Sequence, residues 1–94
     1  MPTRPTYVWD YDLDGDRFSE LLSGRATVGG LDRDWATVRL LEYAPYREII
    51  RVLGYRELVA RWPHVRARVR SPGRRRGFDF LVEWLTAHHP DKLL

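Results

Sequence analysis

Cysteine is absent from this chain of 94 residues, and lysine occurs once, as Lys92. Without thiols there is no disulfide framework, no thiolate metal site and no cysteine nucleophile. No apolar run approaches the roughly 18 residues that cross a bilayer. Met1 to Thr6 lack the apolar stretch of a secretory signal, so a cytoplasmic protein with no membrane contact is expected. Acid is scarce where base is dense. Between Glu57 and Asp79 stand seven arginines and no carboxylate.

What is present is aromatic and helical. Four Trp, five Tyr and three Phe are spread along the chain, and each buried ring removes roughly 150–250 Å² from water. Trp9, Trp35, Trp62 and Trp84 are spaced so that no long segment reads as a tail. Residues 1–6 are Pro-rich and read as a flexible N-terminal segment. Residues 7–94 read as one all-α, compact single domain of four to six short helices.

The periodicity sets the elements. Asp14 caps a short helix at about 16–23, with Phe18, Leu21 and Leu22 inward and Gly24 ending it. Asp32 caps a second at about 33–43, with Trp35, Val38 and Leu41 inward and Ala36, Leu40 and Tyr43 beside them. Pro45 falls in the first turn of a third, where Tyr46, Ile49, Ile50 and Leu53 recur at i, i+3, i+4 and i+7 before Gly54. Tyr55, Leu58, Val59 and Trp62 repeat the spacing until Pro63 interrupts it. Val65 and Val69 suggest a further short helical piece, and Ser71-Pro72-Gly73 reads as a turn. The last helix, about 74–88, turns Phe78, Leu81, Val82 and Leu85 inward and carries Phe80 and Trp84 on its flank. Its apolar face is wider than one core contact needs. Trp35, Ile49, Leu53, Leu58, Leu81 and Leu85 are the expected core.

Catalytic and metal chemistry find little support. Asp10, Asp12, Asp14 and Asp16 open like a calcium loop, but the twelfth position is Leu21, where a bidentate glutamate is needed. Glu20 falls one residue early, about 100° away on a helix. The same acidic strip lacks the phosphate cradle of a phosphoryl transferase, since no Lys-Ser/Thr follows Gly29-Gly30. His64, His88 and His89 offer no i, i+4 ligand pair, and His88 suits a helix C-terminus. No enzyme, no metal site and no cofactor is expected.

The charge pattern speaks for a partner. Residues 1–34 carry seven acids and four bases, and residues 35–94 six acids and twelve bases. Arg66, Arg68 and Arg70 alternate, and Arg74, Arg75 and Arg76 open the last helix against its dipole. Asp79, four residues on, answers Arg75. With Trp62 and Trp84 these arginines are the candidate surface for a protein partner or for nucleic acid. A helix-turn-helix with Gly54 at its turn is weakened by Pro63, which leaves a recognition helix of about eight residues.

Trp9-Asp10-Tyr11-Asp12, the run from Arg39 to Ala44 before Tyr46, and Arg70-Ser71-Pro72 ahead of Phe78 and Phe80 give the chain a family likeness. It resembles small bacterial antitoxin-like proteins encoded beside AbiEii-type nucleotidyltransferase toxins. That family has Gly at the position of Ala44 and lacks the Arg74–Arg76 run. The resemblance implies a binding protein that neutralises or regulates a cognate toxin by direct contact. Either the Asp10–Asp16 strip mimics nucleic acid in the toxin's basic groove, or the Trp/Arg surface packs on an acidic region of the toxin. An autoregulatory nucleic-acid-binding protein using Arg66–Arg76 and a structural subunit of a larger assembly are the alternatives.

Overall fold

Asp32 does what its position asks: its carboxylate accepts the N–H of Trp35 at 2.9 Å and opens a helix running to Tyr43. The computed structural model describes residues 15–27 and 29–94. The expected flexible segment 1–6, and Asp10, Asp12 and Asp14 of the acidic strip, lie outside the described residues. Among those described, the chain is all-α with five α-helices and no strand. None of the helices is long and apolar enough to cross a membrane. The chain divides into two compact units, Met1–Ala44 and Pro45–Leu94.

In the first unit α1 (Gly15–Ser23) packs on α2 (Arg33–Tyr43). Phe18, Leu21 and Leu22 are buried, and the ring of Phe18 meets Trp35 edge-on at 6.4 Å. Two backbone bonds close α1, from Gly24 N–H to the Leu21 carbonyl and from Arg25 N–H to that of Glu20, each at 3.0 Å. From α2 the buried side chains are Ala36, Thr37, Val38, Leu40 and Leu41. The buried face is wide, as the sequence suggests, but it takes in Thr37, while Trp35 is half-buried and Tyr43 is left exposed. The guanidinium of Arg39 lies 4.6 Å from the ring centre of Tyr43, whose aromatic face serves a cation.

The second unit contains α3 (Tyr46–Val52), α4 (Gly54–Val65) and α5 (Pro72–His88). Pro45 stands at the N-cap of α3 in an extended conformation, one place before the first turn where the sequence put it. Gly54 links α3 to α4 at φ +82, and a Cβ there would meet nothing within 4 Å. Backbone conformation, then, is what demands glycine at this corner. Pro63 does not interrupt α4. It sits inside the last turn, exposed, and the helix continues to Val65 for 12 residues in all. Near a C-terminus only the Val59 carbonyl loses its donor, and few further turns are bent.

A single 3-10 turn, Arg66–Arg68, follows α4. Ser71 is the N-cap of α5, its hydroxyl accepting from Arg74 N–H at 3.3 Å. Pro72 and Gly73 thus belong to the first turn of α5 and not to a free turn, because proline is well placed where no N–H is needed. Ile49, Leu53, Leu58, Trp62, Val65, Val69, Phe78 and Leu85 form the core of this unit, while Leu81 is only half-buried. A last 3-10 turn, Pro90–Leu93, packs on α4 and α5, with the ammonium of Lys92 5.9 Å from the Tyr55 ring centre.

Candidate interaction surface

The arginine block divides by what each side chain touches. Arg61 is buried and donates to Glu57 Oε1 at 3.0 and 3.2 Å, a pair one turn apart on α4. Arg66 forks onto Asp79, Nε to Oδ1 at 2.7 Å and Nη2 to Oδ2 at 2.8 Å. Arg75 answers Asp79 through its charge alone, helping to lower that carboxyl without a direct hydrogen bond to it. Its Nε and Nη2 donate to the Val69 carbonyl at 3.1 and 2.8 Å, fixing the extended residue between the 3-10 turn and α5. Arg70 and Arg74 have partners as well. Among the described residues only Arg68 and Arg76 of this block have none.

Trp62, expected on the surface, is a core residue at 3% exposure. Its indole N–H donates to Asp79 Oδ1 at 2.8 Å, and its ring lies 5.3 Å from that of Phe78. Burial of the ring is affordable because its one polar atom is paired. Asp79 thus joins α4, the 3-10 turn and α5 through one carboxylate. The Arg66 guanidinium and the Trp62 N–H hold it down at about 2 against an ordinary 3.8. The sequence does carry a signal for this hub, since Asp79 is the one acid between Glu57 and Glu83. Its partners lie 13 and 17 residues away, out of reach of helical-spacing rules.

Trp84 is on the surface, as expected, at 39% exposure. The rings of His88 and His89 pack on it at 5.8 and 4.6 Å. His88 Nδ1 lies 3.2 Å from the Trp84 carbonyl, which places the imidazole at the end of α5 as its helix position suggested. Phe80, four residues earlier and on the same side of the helix, is 69% exposed. The sequence marked it as a flank residue and not as a binding residue.

Beside these aromatics a groove of about 320 Å³ opens between α3 and α5. Tyr46, Ile49, Arg74, Gly77, Phe78 and Leu81 line it. Ile49 and Phe78 are buried and form its floor, whereas Tyr46 and Gly77 are exposed at its rim. The Tyr46 hydroxyl is pushed up to about 12 by partial burial and by its hydrogen bond with Tyr55. The signal in the sequence was Gly77, a helix-weakening residue in the middle of an otherwise good helix.

Of the acidic strip, Asp16 is described: it is exposed in the first turn of α1. Among the described residues no three His, Cys, Asp or Glu side chains gather as a metal-ion site. The outer side of α4, where a recognition helix would read bases, offers Arg56, Ala60, Pro63 and His64. Two of those four side chains have no hydrogen-bonding group for a base edge. No protein-family model, curated protein or solved structure matches the chain.

Proposed function

We propose that this chain works by docking a partner protein on the outward side of α5, as an antitoxin-like or accessory protein. Its partner is a cognate nucleotidyltransferase toxin, which it neutralises or regulates by direct contact. No catalytic step and no cofactor is assigned to it. The observation that carries the reading is Phe80, which is 69% exposed and one turn from the half-exposed Trp84. Large aromatics standing in water next to an apolar groove are the material of interface hot spots. The toxin as partner rests on the resemblance carried by Trp9–Asp12, Arg39–Ala44 and Arg70–Pro72.

The nucleic-acid reading is favoured by Arg68 and Arg76, the two arginines of the block with no partner among the described residues. It is the weaker reading, because Arg61, Arg66 and Arg75 already serve the fold. The deciding experiment is co-expression with the product of the adjoining gene. The expected result is a nucleotidyltransferase whose growth arrest the chain relieves, and which the folded Phe80→Ala/Trp84→Ala double variant fails to relieve. An adjoining gene of another kind, or relief by the double variant as strong as by the native chain, overturns the proposal.

A further inference from the structure

Helical glycine is costly, and Gly77 has no internal reason to be there. Its φ is not positive, and a Cβ built on it meets nothing within 4 Å. Neither backbone conformation nor packing within the chain asks for glycine. What the missing side chain leaves is room, because Gly77 lies on the wall of the groove between α3 and α5. Any larger residue there would narrow a groove of about 320 Å³. That volume is at the small end of the roughly 300–1,000 Å³ of ligand pockets, enough for anchor side chains of a larger partner.

Resting on the protein-docking reading above, we infer that this groove and the adjoining Phe80–Trp84 side of α5 receive an acidic amphipathic helix of the partner. Its apolar stripe enters the groove, and its carboxylates face the arginines around it. Three observations select this occupant. The floor is apolar, with Ile49 and Phe78 buried beneath Leu81, so phosphates have no place in it. The surroundings are positive: the unit from Pro45 to Leu94 carries eleven bases and five acids, a net of +6. Three of those acids, Glu48, Glu57 and Asp79, are already tied to Arg51, Arg61 and Arg66, which leaves Glu83 as the other acid on α5. Finally, both walls are helices, and no strand among the described residues offers an edge to an extended peptide. A helix with anchors at i, i+3 or i+4 and i+7 matches the spacing of Gly77, Phe80 and Trp84 on one side of α5.

The test is selection from a displayed library of helical peptides with randomised surface positions, against the full chain and its Gly77→Leu variant. Enrichment of acidic sequences with apolar anchors at helical spacing is expected. Their affinity should fall by about tenfold or more with Gly77→Leu, the loss that accompanies one anchor position. The melting temperature of Gly77→Leu should match or exceed that of the native chain, so the loss is not unfolding. Enrichment of basic, uncharged or extended peptides, no enrichment at all, or binding unchanged by Gly77→Leu overturns the inference. So does displacement of the selected peptides by random-sequence duplex DNA at physiological salt, which would assign the surface to nucleic acid. Should co-expression show relief that needs Phe80 and Trp84 but tolerates Gly77→Leu, the docking reading stands and the acidic helix in the groove is wrong. Acidic helices selected by the groove, with no relief in co-expression, give the opposite result.

Discussion

Asp79 and Trp62, 17 residues apart in sequence, are joined by an indole N–H donated at 2.8 Å to a carboxylate that Arg66 grips with two more bonds. The arrangement lets a buried tryptophan keep its polar atom satisfied while α4 is tied to α5. It also makes Asp79 an acid-sensitive point of the second unit; Glu48, whose carboxyl Arg51 lowers as well, is another. Asp79 is depressed from 3.8 to about 2, so it contributes stability above the ordinary value and loses it as pH falls through 2. The midpoint of urea unfolding, followed by Trp fluorescence from pH 6 downward, should drop between about pH 4 and pH 2. Asp79→Asn keeps an acceptor for the indole but not the charge for Arg66. Its stability should be lower at neutral pH and lack that acid step. A variant that loses stability in parallel with the native chain would place the acid sensitivity elsewhere.

At the other end of the scale stands Tyr46, raised from 10 to about 12 by burial and by its bond with Tyr55. The sign is opposite. Protonated Tyr46 favours the folded chain below pH 10, and that contribution is lost as pH rises through 12. Ultraviolet titration of tyrosinate should therefore show one group ionising well after the ordinary tyrosines. Tyr55→Phe should bring that group back toward 10, because it removes the hydroxyl partner. Persistence of the late titration in the Tyr55→Phe variant would leave burial as its only cause.

Burial separates two kinds of apolar residue on α5. Leu85 is enclosed at 1% exposure, and Leu53 in the turn before α4 at 9%. Truncating either to alanine should cost about 2–5 kcal/mol in chemical denaturation. Phe80→Ala, on the exposed side, should change stability by less than about 0.5 kcal/mol. Gly77→Ala should raise stability by up to about 1 kcal/mol, since its methyl meets open space and glycine is a poor helix former. A large loss on Phe80→Ala would mean the ring packs on something in the folded chain.

Most of this fold can be read from local pattern. The α1 and α2 spans, the Asp32 cap, the Gly54 corner and the inward Phe18, Leu58 and Leu85 all follow from periods and caps that act within a few residues. The departures from that pattern have local causes too. Pro63 has the character of a breaker, though near the end of α4 it disturbs little. Pro72 and Gly73 resemble a turn in composition, yet Ser71 caps directly onto them. The candidate surface was less legible, because a string of arginines does not show which of them the fold consumes. That depends on carbonyls and carboxylates brought near by tertiary packing, such as Val69 and Asp79.

The arginine run Arg74–Arg76 should come apart under single substitution. Arg75→Ala removes both donors to the Val69 carbonyl, in a segment whose side chain is fully enclosed. A hydrogen bond to a charged group contributes about 1.5–3 kcal/mol, so the variant should unfold at correspondingly lower denaturant. Arg76→Ala touches no such bond and should stay within about 0.5 kcal/mol of the native chain. Binding should sort the other way. Arg68→Ala/Arg76→Ala should slow association with an acidic partner, because charge steering acts on the on-rate, while unfolding stays unchanged. If duplex nucleic acid were the true ligand, the same double variant would flatten the log–log salt slope by about two units, at roughly 0.9 per phosphate. Weak duplex binding with no such change in slope is expected. Arg75→Ala behaving as a pure binding variant, with native stability, would mean the bonds to Val69 do not hold the segment, and the division of the cluster would fail.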